Sequence, residues 1–238
     1  MVEKYSLKQK HLVFWGYVVG YLLLPVLIIS VYVAFKEFAS SDYLNSDELL
    51  NTTIYISLVA AAITFTAYLV FVKDIFKDDF KRLFTSKKTL YYIFGGAALM
   101  YVTNIAFSVL YSVIGIAGNS ENQAILEELI TINPLVMLLP VAILIPVIEE
   151  VLFRGVLLEI FEKRFGMIAG ALISSLLFAS LHVTDASSLV FLPIYFALGL
   201  ILAMLYLKSD KNILVAIGAH IINNSIVVIA MIIINGGL

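Results

Sequence analysis

The chain has 238 residues, 62% of them hydrophobic and only 13% charged, with a mean hydropathy of +1.02, which excludes a soluble domain of ordinary composition and points to a membrane protein. It contains no cysteine, so disulfides, thiolate metal ligands and cysteine nucleophiles are excluded too. The formal charge of −2 is uninformative as a total; its distribution along the chain carries the meaning.

Apolar runs long enough to cross a bilayer core of about 30 Å, roughly 20 residues each, fall at 12–35, 52–72, 89–116, 134–160, 167–187, 189–207 and 213–235. The expected fold is all-α: a polytopic membrane helix bundle of about seven transmembrane helices. An eighth span hidden in a long run would reverse only the C-terminal end. Lys4, Lys8 and Lys10 precede the first run as they would in a signal peptide. That run far exceeds an h-region of about 7 to 15 residues, so a retained helix is expected.

Basic residues orient the bundle. Lys4, Lys8 and Lys10, the six between Lys73 and Lys88, the pair Lys163 and Arg164, and the pair Lys208 and Lys211 make up 13 of the 15 and lie in alternate connections. The intervening connections hold Glu37, Asp42, Asp47, Glu48, Glu121, Glu127, Glu128 and Asp185 against a single Lys36. The positive-inside rule then puts the N-terminus in the cytoplasm and, with seven spans, the C-terminus outside. The expected location is a bacterial cell membrane, with the lipid bilayer as a partner and no nucleic acid.

Residues 1–133 read as a three-span scaffold and 134–238 as a four-span catalytic core within one integrated membrane domain. In the third span Gly95-Gly96-Ala97-Ala98 permits close helix approach. Residues 118–133 suit either a short amphipathic helix at the outer surface or a loop. From Pro134 the character changes. Pro140 and Pro146 interrupt the fourth span, and Pro146 removes the donor that would meet the Ala142 carbonyl, favouring a kink just before Glu149.

Glu149, Glu150 and Arg154 follow inside an apolar run. One ionisable group at membrane depth costs roughly 2.5 to 3.5 kcal/mol on insertion scales, so three within six residues imply function. Glu150 and Arg154 are four apart, in the favoured acid-before-base order. They can neutralise each other. Glu149 projects about 100° away and has no local partner, so its partners must come from other helices.

Of three histidines, His11 sits at the cytoplasmic start of the first span, where a solvated role suffices. His182 shares a helix face with Phe178, and His220 with Asn224. Glu149, His182, His220 and Asn224 all fall within roughly 6 to 8 Å of the midplane. Gly170, Ala171, Ser174, Ser175 and Ala179, with Ala216, Gly218 and Ala219, would let the fifth and seventh spans approach around them.

This set suits hydrolysis of a peptide bond. Glu149 can take a proton from water and return it to a leaving amine. His182, His220 and Asn224 can hold the water and donate to an oxyanion. A zinc scheme would use Glu149, His182 and His220 as a His₂Glu set. Asn224 is a poor zinc ligand and no HExxH helix exists, so no cofactor is required in the preferred scheme and zinc is the alternative.

The motifs Glu149-Glu150-Val-Leu-Phe-Arg154, Phe178-Ala-Ser-Leu-His182 and His220-Ile-Ile-Asn223-Asn224 resemble EExxxR, FxxxH and HxxxN of the CPBP intramembrane proteases. That family, also called the CAAX-protease and bacteriocin-processing or Abi family, includes the Ras-converting proteases. The resemblance runs from about Leu135 to Ala230. It implies an intramembrane glutamic endopeptidase, with Glu149 catalytic, His182, His220 and Asn224 completing the site, and Glu150, Arg154 and Phe178 in support. The expected substrate is a membrane-associated peptide or protein. The rival readings are a non-catalytic partner or bacteriocin self-immunity protein of the same family and, remotely, a proton- or ion-coupled transporter. Transporters usually show repeats and broken helices in both halves, whereas here the polar density follows residue 134.

Overall fold

The structure is a computed structural model that describes residues 3–39, 46–84, 87–116, 120–132, 134–183 and 185–234. Of the charges used to orient the chain, Asp42 lies outside those residues, as do residues 118, 119 and 133 of the segment left open between helix and loop. From Glu121 that segment is a helix.

The described residues are 90% helical, without strands. We number the helices α1 (Leu7–Phe38), α2 (Ser46–Phe71), α3 (Lys73–Leu83), α4 (Lys87–Val113), α5 (Glu121–Ile132), α6 (Val136–Phe165), α7 (Met167–Ser180), α8 (Ser187–Lys208) and α9 (Ile213–Ile234). Six are long and apolar enough to cross a membrane: α1, α2, α4, α6, α8 and α9. Helix α6 is the axis of the bundle, with 72% of its apolar stretch buried against 6% in α1.

The remaining expected span is shorter than its apolar run suggests. Helix α7 has 14 residues and ends at Ser180, so His182 sits just past its C-terminus. The polar run Thr184-Asp185-Ala186-Ser187-Ser188 explains the stop. The Asp185 carboxylate accepts from the backbone N–H groups of Ser187 and Ser188 at 3.0 Å each, opening the 3₁₀ turn that begins α8. The Ser187 and Ser188 side chains, with these backbone bonds, hold the Asp185 carboxyl well below the usual carboxylate range.

Two widened turns bracket Glu149 and Glu150 on α6, a π-helical segment at Pro140–Leu144 and another at Val151–Leu157 that contains Arg154. In the first, the Ile145 N–H reaches back five residues to the Pro140 carbonyl. Pro146 has no N–H to return to Ala142, and the ladder is widened in the turn before it. Such π-turns gather at functional sites because each re-aims the side chains around it.

Small residues set helix approach, though not always between the expected pairs. A Cβ on Gly96 would meet Leu205 of α8, whereas Gly95 has open space. Gly170 lies on the Glu162 backbone of α6, and Ser174 Oγ donates to the Phe153 carbonyl at 2.7 Å. Gly199 of α8 faces Ser175 and Phe178, while Gly218 of α9 meets Ile93 of α4. The small face of α7 therefore serves α6 and α8, and that of α9 serves α4, instead of joining the fifth expected span to the seventh.

One end of the bundle is an ionic layer. Lys4 and Arg82 pair with the buried Asp79, Lys10 with Glu3 and Glu159, Lys163 with Glu3, and Lys211 with Glu162. Asp79 also accepts from the Ile213 N–H at 2.8 Å. Charges scattered along the sequence thus meet in one layer. Burial pulls the Lys4 amine below its ordinary range, against the opposing pull of Asp79.

Candidate active site

Glu149, Glu150 and Arg154 are all buried on α6, with Glu150 and Arg154 at 0% exposure. Arg154 Nη1 lies 3.0 Å from Glu150 Oε1, the expected intrahelical pair, and Arg154 Nη2 donates to the Gly199 carbonyl at 2.9 Å. The guanidinium also stands over the Phe178 ring, 4.6 Å from its centroid. Three helices are fastened by this one side chain.

Glu149 finds its partners on other elements. Its Oε1 is 3.9 Å from His182 Nε2 and its Oε2 is 3.8 Å from His220 Nε2. Both separations exceed a direct hydrogen bond and are compatible with a small polar species between the groups.

The opposite ring nitrogens are fixed. His182 Nδ1 lies 2.9 Å from the Phe178 carbonyl, and His220 Nδ1 lies 2.9 Å from Glu150 Oε1. A carbonyl can only accept, and Glu150 Oε1 already accepts from Arg154, so each Nδ1 carries its proton. In a neutral ring, each Nε2 then presents a lone pair toward Glu149. Three acceptors converge on one spot, where a water molecule could donate.

Ring stacking holds His182 although it lies beyond the helix. Phe178 packs 4.6 Å from it on one side and Tyr195 stacks at 4.6 Å and 26° on the other. The Tyr195 hydroxyl is 2.7 Å from Ser120 Oγ, so α8 and the start of α5 are tied to the same ring. Non-helical backbone at membrane depth is tolerated where it lines a cavity.

Such a cavity is present. It has a volume of about 600 Å³, and His182, His220 and Asn224 line its inner end. Asn224 Nδ2 donates to the Val141 carbonyl at 3.2 Å, while its Oδ1 accepts from Asn223 Nδ2 at 3.3 Å. Asn223 Oδ1 accepts in turn from Asn104 Nδ2 at 3.1 Å. Asn104 belongs to α4, so the third span supplies part of the cavity wall as well as scaffold.

Sequence reasoning passed over Asn104, Tyr195, Tyr17 and Tyr21. The last two lie in a π-helical stretch of α1, where the Tyr17 ring meets Phe153 of α6 at 6.4 Å and Tyr21 at 5.3 Å. Gly16 and Gly20, four apart and close against Tyr68 and Thr64 of α2, were the available signal. Asn104 could have been found as a lone amide at mid-span depth.

The donor set fits a zinc site only in part. Both Nδ1 anchors have the pattern that orients metal-binding histidines. Among the described residues, however, no group of three His, Asp or Glu side chains is disposed to hold a metal ion. The 3.8 and 3.9 Å spacings are also wider than the roughly 3.3 Å between two ligands at about 2.0–2.1 Å from a tetrahedral ion.

Residues 131–226 match the family model described as Type II CAAX prenyl endopeptidase Rce1-like. The chain is 30% identical over 192 residues to the "Membrane-embedded CAAX protease MroQ" of Staphylococcus aureus, an alignment covering 76% of this chain and 75% of that protein. The chain belongs to the Rce1-like CAAX protease family of membrane peptidases. Another relative in this family, the "Putative membrane peptidase YdiL" of Bacillus subtilis, is 34% identical over 140 residues. That alignment covers 59% of this chain and 55% of YdiL, so the chain spans little more than half of that relative. No solved structure matches the chain significantly. All three motifs lie within the matched Rce1-like segment.

Proposed function

We propose that the chain is an intramembrane endopeptidase of a bacterial cell membrane that hydrolyses a peptide bond of a membrane-associated peptide or protein. The observation that carries this reading is the convergence of Glu149 with the Nε2 atoms of His182 and His220 at 3.9 and 3.8 Å, the two histidines lining a cavity. A water held there would lose a proton to Glu149 as its oxygen attacks the carbonyl carbon. Glu149 would then pass that proton to the departing nitrogen as the C–N bond breaks, leaving a carboxylate and an amine.

The fixed Nδ1 protons refine the roles of the other residues. A neutral His182 or His220 has only a lone pair at Nε2 and orients the water. Donation to the oxyanion falls to the Asn224 amide, or to a histidine that has gained a second proton. His220 in that form would stand between the carboxylates of Glu149 and Glu150. The zinc scheme remains the second reading, favoured by the two Nδ1 anchors. The ionic layer, which holds Lys4, Lys10, Arg82, Lys163 and Lys211, supports a cytoplasmic N-terminus.

The test is cleavage of candidate membrane peptides by the purified protein and by Glu149→Gln. The expected result is loss of cleavage with folding retained, because removing a carboxylate with no close ionic partner strands no charge. Full activity in the variant would sink the general-base role. An inactive wild type across substrates would favour the non-catalytic reading.

A further inference from the structure

The cavity runs away from the ionic layer. From His182, His220 and Asn224 its walls continue along α4 through Asn104, Ser108 and Ser112 and reach Ser120 and Gln123 at the start of α5. These positions lie toward the C-terminal end of α4, whereas the basic residues cluster near its N-terminal end and in the connections beside it. At the ionic end the site is closed. A Cβ on Gly155 would lie 2.6 Å from the Tyr5 hydroxyl, and Tyr5 and Tyr206 are both 0% exposed. Nothing can approach Arg154 from that side without displacing the N-terminal segment.

The outer wall carries polar groups among its apolar ones. Asn104, Ser108, Ser112, Ser120, Gln123 and Tyr195 contribute amides and hydroxyls. Asn104 already bonds Asn223, and Ser120 bonds Tyr195, but an isoprenoid chain would take water from the Ser108 and Ser112 hydroxyls without replacing its hydrogen bonds. An extended peptide offers one donor and one acceptor per residue, which those hydroxyls can meet. Apolar stations for its side chains stand alongside at Met100, Leu126, Phe191 and Val227.

We infer that the cavity takes an extended, unlipidated peptide segment presented from the non-cytoplasmic face, and that Asn104, Ser108 and Ser112 bind its backbone. The inference rests on the proteolytic reading above only in treating this peptide as the substrate.

The absence of native cysteine makes the test direct. Ser108→Cys, Ser112→Cys and, at the opposite end, Lys208→Cys are each labelled in intact cells with a membrane-impermeant maleimide. The Ser108 and Ser112 variants should label at once and the Lys208 variant only after permeabilisation. The reverse pattern overturns the side of access. The Ser108→Cys protein is then labelled in detergent with a mixture of unlipidated random-sequence peptides or with farnesyl-cysteine. Peptide at about ten times its Kd should slow labelling by about tenfold, and farnesyl-cysteine should not. Protection by farnesyl-cysteine alone, or by neither probe, overturns the substrate class. Labelling needs no turnover. Protection in Ser108→Cys combined with Glu149→Gln, alongside a wild type that cleaves nothing, would reject proteolysis while leaving this inference standing.

Discussion

A single carboxylate oxygen, Glu150 Oε1, lies 2.9 Å from His220 Nδ1 and 3.0 Å from Arg154 Nη1. The second glutamate of the pair therefore joins α6 to α9 as well as neutralising the arginine. It fixes which nitrogen of His220 faces Glu149. The two adjacent acids thereby take different parts, one facing the bridging site and the other orienting its wall.

Loss of either member of the buried pair should be asymmetric. Glu150→Gln leaves Arg154 without its counter-charge, a change that costs about 3–5 kcal/mol in buried pairs. Arg154→Leu should be milder, since Glu150 keeps His220 as a partner. In the double variant no charge is stranded, and its stability should exceed that of Glu150→Gln alone. Thermal unfolding in detergent reads all three. A double variant showing the sum of the single losses would count against the paired role.

Much of this geometry was legible in the sequence because helical spacing is rigid. Glu150 and Arg154 had to meet, and Glu149 had to look elsewhere. Matched depth was enough to bring Glu149, His182 and His220 together. The length of α7 was misjudged because hydropathy continues past Ser180, while its end is set by the polar run that feeds the Asp185 turn. Partners of the small residues were not legible either, because a glycine face states that something comes close without naming it. Asn104 and Tyr195 act through contacts across elements, which no local pattern records.

Asn104 should act as a positioning residue. Its amide donates to Asn223, which donates to Asn224, so Asn104→Leu removes the far end of a chain of three amides. Cleavage should fall by up to about a hundredfold, the scale of small misplacements in a site. Asn223→Leu should do the same, and the double variant should be no worse than either, because both interrupt one chain. Additive losses in kcat would show that the two residues act separately.

Neighbouring glycines give a test of packing. Gly95→Ala adds a methyl to open space within a helix and should stabilise the protein by up to about 1 kcal/mol. Gly96→Ala drives its methyl into Leu205 and should cost about 1–3 kcal/mol unless that side chain turns away. Adding Leu205→Ala should recover part of the loss. Equal effects at the two positions in thermal unfolding would mean that α4 and α8 are not in this register.

Asn224 separates the two chemical schemes. Its Nδ2 reaches the Val141 carbonyl at 3.2 Å and its side chain lines the cavity beside His182 and His220. In the metal-free scheme Asn224→Ala should lower kcat by about 10² to 10³, with metal content unchanged. Asn224→Asp is sharper. It replaces an amide donor with a carboxylate that repels the oxyanion and faces the Val141 carbonyl as a second acceptor, so activity should be lost. In a zinc scheme the same change supplies a better ligand and should be tolerated; the purified protein would then hold about one equivalent of zinc, lose activity to chelators and regain it on zinc addition. Metal analysis and cleavage on the same Asn224→Asp sample decide the matter. Near-normal activity with stoichiometric zinc would replace the metal-free scheme, because a carboxylate can serve an ion at that position and cannot serve an oxyanion.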